Sequence, residues 1–344
     1  MTTLRALGWI AAAVPAAGLA VFSLMFALAV LRPRSVGPLL RLILSVRYRL
    51  ALVGLDHLPR SGPVLLAANH VTWIDGFLLV AACPRQARSL VNADYLRIPV
   101  VDRLARRLGV IPLPAAGPRA QRLAIEAARA ALDRGELLLI FPEAQMTRNG
   151  LLGTFHRGLE VILEHRAEVA IAPVYLHNLW GSNFSFSGGR FLWKFPRGLR
   201  RDVVVSFGPR LPGNSTAFEV RGAVLDAGVD AVALSGVTPA RLELDPRLPS
   251  LVDSALGTLA GSTDDFDRRD VVHHGQKQGS LGRALPGVAL RVVDDAGLPL
   301  GPGLVGALQA RTPRVPDWTD LHIRGVVDRD GFVFTAAESL GARE

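Results

Sequence analysis

Residues 67–77 read AANHVTWIDGF, and within them His70 and Asp75 are separated by four residues. A histidine titrates near neutral pH, and a carboxylate beside it fixes its tautomer and raises its basicity. Such a pair can take a proton from a hydroxyl. The same two side chains could also simply cap a surface turn, and their spacing alone does not separate the two roles. Immediately before them runs the apolar stretch Val64–Ala68, the pattern of a buried strand, so the pair stands on the turn that leaves it. A second strand-like run, residues 137–141, leads into Pro142 and Glu143, and a third surrounds Pro173. In open α/β sheets, ligands sit where strand ends release their loops, so His70, Asp75 and Glu143 can share one crevice.

From residue 60 onward the patterns alternate. Helices are expected over Trp73–Ala82, Val100–Leu108, Arg119–Arg134 and Thr154–His165; strands over Ser89–Asn92, Gly109–Leu113 and Ala170–Leu176. This alternation predicts an α/β sandwich with a mixed sheet. Phe218–Leu234 reads as one more amphipathic helix, residues 235–270 as a polar linker, and residues 279–336 as a small β-rich module of short strands and Gly/Pro turns. The expected divisions are an N-terminal anchor (1–34), the α/β domain (35–216), a helix and linker (217–278), the β module (279–336) and a tail (337–344).

Of 344 residues, 49% are hydrophobic and 20% charged, which suits a folded chain with a large core. The single cysteine, Cys83, excludes an intrachain disulfide and a zinc cluster, and no other ligand-spaced cluster suggests a metal. His156, His165, His177 and the pair His273 and His274 have no patterned partners and read as surface or structural. A net charge of +9 points to an anionic partner: nucleic acid, an acidic membrane face or a phosphorylated substrate. Residues 6–31 carry no charge, and 26 residues exceed the roughly 20 that cross a hydrocarbon core. Five arginines follow, at 32, 34, 41, 47 and 49, with no acidic residue before Asp56. By the positive-inside rule, the chain is expected to be a single-pass protein of the inner membrane with its domain on the cytoplasmic face. Residues 36–53 mix leucine with arginine as an interfacial helix would, and RFLWKFPRGLRR at 190–201 interleaves basic residues with Phe191, Trp193 and Phe195. Beside an anchor, that loop fits a lipid surface better than a nucleic-acid groove.

Taken together, NHxxxxD at 69–75, GVIPL at 109–113, FPE at 141–143 and IAPVY at 171–175 resemble the four ordered blocks of the 1-acylglycerol-3-phosphate acyltransferase superfamily. The resemblance spans residues 35–215. It implies that His70 is the general base, deprotonating an acceptor hydroxyl that attacks the thioester of acyl-CoA or acyl-carrier protein. Asp75 would orient His70 and stabilise the imidazolium, as in a hydrolase dyad whose nucleophile belongs to the substrate. Glu143, with Phe141, Pro142, Thr147 and Pro173, would shape the acceptor pocket, while Asn69 and Gly76 would support the turn. No cofactor beyond the acyl donor is implied.

Two family arginines are missing. The second block usually ends in arginine, where this chain has Pro114-Ala115, and the usual FPEGTR is FPEAQMT at 141–147. A bare phosphate dianion favours bidentate arginine clamps. The expected acceptor is therefore a lysophospholipid with a headgroup, with lysophosphatidic acid the alternative; Arg119 and Arg148 could substitute for the lost arginines. Residues 279–311 and WTDLHIRGVVDRDGFVF at 318–334 resemble a fragment of an adenylate-forming acyl-CoA synthetase, the domain that follows the acyltransferase in bacterial 2-acylglycerophosphoethanolamine acyltransferase/acyl-carrier-protein synthetases. Its phosphate loop and catalytic lysine are absent, and Asp320 has no nucleotide site around it, so ATP chemistry is not expected there. A vestigial module is implied, and a catalytically weak or inactive lipid- or carrier-binding remnant is the alternative to an enzyme.

Overall fold

Short apolar runs with alternating orientation make one sheet with an apolar layer on each side. A computed structural model describes residues 36–97, 102, 103, 105, 106, 109–114, 117–189, 200–236, 242, 244–268 and 271–336. The uncharged stretch 6–31, most of the helix expected over 100–108 and the aromatic residues of 190–201 lie outside the described residues.

The strands of the first sheet are β1 (Tyr48–Val53), β2 (Val64–Ala68), β3 (Ala87–Asn92), β4 (Ile111–Leu113), β5 (Leu137–Ile140), β6 (Ala170–His177) and β7 (Arg201–Phe207). They lie in the order β1-β7-β6-β2-β5-β3-β4, and every pairing is parallel except β6 with β7. The mixed sheet expected from the pattern is therefore present. β2 is central and buried along its whole length, which is why it reads as a continuous apolar run. Val64, Leu66 and Ala68 enter one layer with Leu137, Leu139, Val174 and Val203, while Leu65 and Ala67 enter the other with Leu138, Ile140 and Ile171.

Among the described residues, five helices accompany these strands: α1 (Val36–Leu44), α2 (Asp75–Ala82), α3 (Pro118–Asp133), α4 (Gly158–Leu163) and α5 (Ala217–Ser235). α1 packs on α2, and α3 packs on β4, β5 and α4. α5 opens with a capping box, Thr216 and Glu219 bonding reciprocally, and closes at Gly236 in the left-handed conformation at φ 58°. It lies across β6 and β7 and against the later sheet, burying Val220, Val224, Leu225, Ala227 and Val229. A helix covered on more than one side is apolar on more than one side. Gly228 makes the approach possible, since a Cβ there would stand 3.0 Å from the Tyr175 ring.

Three expectations change. The helix expected over 36–53 ends at Leu44, and Tyr48–Val53 is an edge strand paired with β7. β7 itself, RDVVVSF, was not expected; it is buried from Val203 on and supplies the antiparallel neighbour of β6. The stretch read as linker holds β8 (Leu251–Asp253), β9 (Gly257–Gly261) and β10 (Phe266–Arg268), the last forming a hairpin with β11 (Val271–His273). β12 (Arg283–Ala284) pairs with β9. β13 (Ala289–Val293), β14 (Gly306–Arg311), β15 (Thr319–Val327) and β16 (Val333–Thr335) form a four-stranded antiparallel sheet. The apolar layer containing Leu65, Leu138 and Val224 continues without a break into Leu259, Leu290, Leu308 and Val333 of these later strands.

Candidate active site

β2 and β5 are hydrogen-bonded neighbours, with Ala67 opposite Ile140, so the turns leaving their C-terminal ends emerge side by side. One carries His70 and Asp75, the other Glu143. Asn69 fastens the first turn to the next strand: its Nδ2 donates to the Leu176 carbonyl at 3.2 Å, and Leu176 N–H donates to its Oδ1 at 2.7 Å. A buried amide side chain thus continues the ladder one step past the end of β2.

Asp75 opens α2, with its carboxylate wholly inaccessible to solvent. Its Oδ2 accepts from His70 Nδ1 at 2.9 Å, from Val71 N–H at 2.6 Å and from Thr72 N–H at 2.8 Å, and its Oδ1 accepts from the Thr72 hydroxyl. Four donors converge on two oxygens, so the carboxylate is fixed in position. The helix N-terminus also favours negative charge there. Because the carboxylate accepts, His70 Nδ1 carries the proton and Nε2 keeps its lone pair. The His70 side chain is 22% exposed, and its ring stacks on Phe141 at 4.2 Å between centroids and 18° between planes. A base held by its far nitrogen and backed by an aromatic face is arranged to take a proton from a group on the open side.

Glu143 lies beneath this turn. His70 N–H donates to its Oε1 at 2.7 Å and Gly153 N–H to its Oε2 at 2.7 Å. Burial outweighs those two bonds and the nearby His70 and Arg221, and pushes the carboxyl up to about 7. Thr147 N–H donates to the His70 carbonyl at 2.8 Å, so both backbone groups of His70 are held by the segment after β5. Pro142 is buried, and its carbonyl accepts from His156 N–H at 2.9 Å. Gly76 faces Phe141, where a Cβ would meet Cε2 at an ordinary 4.0 Å. Pro173 lies within β6 opposite Ala67, where its carbonyl accepts from Gly208 N–H.

Two expected substitutes for the lost arginines differ in place. Arg119 is exposed at the start of α3, whereas Arg148 directly follows the residue bonded to His70 and its guanidinium lies 3.3 Å over the Phe186 ring. Ala144, where the resembling blocks have glycine, adopts φ 56°. A non-glycine residue there carries roughly 1 kcal/mol of backbone strain.

The reading from residues alone overlooked Thr72 and Arg221. Thr72 was legible, since Thr-Trp-Ile-Asp at 72–75 has the spacing of a capping box. Arg221 was not: it is buried on α5 and bonds the Gly153 and Leu152 carbonyls at 2.8 and 3.0 Å, far away in sequence. Among the described residues, no group of histidine, cysteine and carboxylates is placed to hold a metal ion.

Residues 49–177, the stretch that contains this site, match the family described as Acyltransferase. Over 130 residues the chain is 26% identical to the chloroplastic 1-acyl-sn-glycerol-3-phosphate acyltransferase LPAT1 of Arabidopsis thaliana, covering 38% of this chain and 36% of that protein. Over 117 residues it is 38% identical to the lyso-ornithine lipid O-acyltransferase of Pseudomonas aeruginosa, covering 34% of this chain and 43% of that one. The chain thus spans less than half the length of either relative. The 1-acyl-sn-glycerophosphate acyltransferase PlsC of Thermotoga maritima is a structural neighbour at TM-score 0.49 and 18% identity, covering 70% of this chain and all of that one.

Proposed function

We propose that this protein transfers a fatty acyl group from acyl-CoA or acyl-carrier protein to the free hydroxyl of a headgroup-bearing lysophospholipid at a membrane surface. The observation that carries the reading is the His70–Asp75 pair, Nδ1 to Oδ2 at 2.9 Å, with the imidazole partly open to solvent. In the reaction His70 Nε2 removes the acceptor O–H proton as the oxygen attacks the thioester carbonyl. The C–O bond forms, the C–S bond breaks, and the imidazolium returns its proton to the departing thiolate. Asp75 stabilises the imidazolium between these steps.

The acceptor reading rests on the two missing arginines, with Arg148, next to Thr147, the candidate substitute. The two relatives differ on this point: one name specifies 1-acyl-sn-glycerol-3-phosphate, the other a lyso-ornithine lipid. A membrane partner is supported by exposed apolar side chains on and next to two helices that pack together: Leu42 on α1, Val46 just beyond it, and Trp73 and Phe77 flanking Asp75. Arg41 and Arg47 lie among them in sequence. No helix among the described residues is long and apolar enough to cross a membrane.

Acyl transfer from labelled acyl-CoA and acyl-carrier protein to a panel of lysolipids tests the reading. Transfer is expected to lysophospholipids with a headgroup in preference to lysophosphatidic acid. Preference for lysophosphatidic acid would show that Arg148 or another cation replaces the lost clamp; no transfer to any acceptor would remove the enzyme reading.

A further inference from the structure

The loop that descends from Glu143 is held by residues that lie beyond the matched stretch 49–177. Arg221 of α5 grips the Leu152 and Gly153 carbonyls with Nη2 and Nε. Gly153 in turn gives its N–H to Glu143, and a Cβ on Gly153 would stand 2.8 Å from that carboxylate, so the two are in tight register. The next residue, Thr154, donates its hydroxyl to Asp330 Oδ1 at 3.1 Å and accepts from Arg283 Nη2 at 3.3 Å. Earlier in the loop, Asn149 Nδ2 donates to Thr263 Oγ1 at 2.9 Å.

These anchors form one assembly. Gly331, in the left-handed conformation at φ 82°, lies so close over the Arg221 guanidinium that a Cβ would stand 2.2 Å from Cζ. Arg283 stacks on Phe332 at 4.2 Å, and Lys277 bonds Asp328 at 2.5 Å and reaches Asp330 at 3.5 Å. Asp328 holds the turn itself, accepting from Asp330 and Phe332 N–H at 2.9 and 2.8 Å. The buried Arg221 and Arg283 therefore lie near Glu143, Asp328 and Asp330, and the half-exposed Lys277 pairs with the two aspartates. Arg221, Arg283 and Glu143 are buried, so removing a partner from any of them leaves a charged group without compensation.

We propose that the C-terminal sheet is a built-in positioning element of the acyltransferase site. Its Asp328–Phe332 turn and Arg221 set the loop at 152–154. That loop sets Glu143, and Glu143 sets the His70 backbone. Arg221 and Asp330 are positioning residues: they touch neither His70 nor Asp75. The inference rests on the acyl-transfer reading for its catalytic consequence, but its structural part does not. It also gives the segment that resembles a synthetase fragment a present role without nucleotide chemistry.

Asp330→Ala tests it, since Asp330 is half-exposed and its loss need not unfold the chain. Arg221→Lys is the second variant, keeping the charge while losing the two-carbonyl grip. Hydrogen exchange at residues 69–75 is measured together with kcat and KM. The expected result is faster exchange at 69–75 with β2 and β6 still protected. kcat should fall about tenfold, with KM for donor and acceptor within twofold, as misplacement of a base predicts. Wild-type exchange and kcat in both variants would overturn the proposal. So would exchange that accelerates evenly along the whole chain, because that reports lost stability and not lost positioning. Because exchange needs no turnover, it decides the coupling even where the wild-type protein transfers no acyl group, an outcome that would count against the enzyme reading alone.

Discussion

At the scale of residues, the site depends on two carboxylates in opposite situations. Asp75 is surrounded by donors on a helix N-terminus, whereas Glu143 has two amide donors in a buried space that pushes it up to about 7. For an acid whose folded value exceeds its unfolded one near 4.5, the folded state binds the proton more tightly between those values. Its contribution to stability is full below pH 4.5 and is lost as pH rises through about 7. Denaturant unfolding at pH 5 and pH 7.5 should show this as a drop of roughly 2 kcal/mol, present in the wild type and absent in Glu143→Gln. Other carboxylates contribute slopes of opposite sign, so the difference between the two proteins is the quantity to read. Equal pH dependence in both would mean that Glu143 does not titrate there. The dyad was legible in the sequence because a six-residue span fixes it locally. Glu143 was legible as a site residue, but its task was not: the partners that define it, His70 N–H and Gly153 N–H, come from two separate loops.

At the scale of elements, α2 does two things at once. Its first turn holds Asp75, and its outer surface exposes Phe77 at 49%, with Trp73 just before it at 47%. Large aromatics left half in water beside the proposed acyl-transfer site fit the proposed contact with a membrane surface. Replacing both with serine should leave the fold intact and weaken binding to anionic phospholipid vesicles about tenfold or more, since each buried aromatic contributes on the order of 1.5–3 kcal/mol. Co-sedimentation measures it, and unchanged binding would place the membrane contact elsewhere. The elements also show where a sequence reading fails. YRLALV at β1 was absorbed into a helix because arginine and leucine alternate in a way that suits either period. Only its pairing with β7, itself distant in the chain, makes it a strand. β8 and β9 were hidden by polar composition, since short strands of a small sheet bury one or two side chains each.

At the scale of the whole molecule, α5 joins the two sheets through one apolar layer. Arg311 of β14 reinforces the joint, pairing with Asp226 at 2.6 Å and Asp230 at 2.7 Å on that helix. A chain cut after Gly236 would leave the outward-facing part of α5 and the Arg221 guanidinium uncovered. Such a truncated protein is expected to melt lower than the full chain, which should unfold in one cooperative transition. Two separate transitions in the full chain would contradict the shared core. The contacts that α5 makes with the C-terminal strands were not legible in the sequence, because side-chain contact between distant segments has no sequence signature.

The central claim is that His70 acts as the base in acyl transfer, and the most direct measurement compares the transfer rate of the wild type with that of His70→Ala. Both proteins would be purified in detergent and shown to be equally folded, with acyl-CoA as donor and a headgroup-bearing lysophospholipid as acceptor. The account predicts a loss of at least about a hundredfold in kcat, the usual scale for removing a general base. Transfer at an undiminished rate without the imidazole would contradict it.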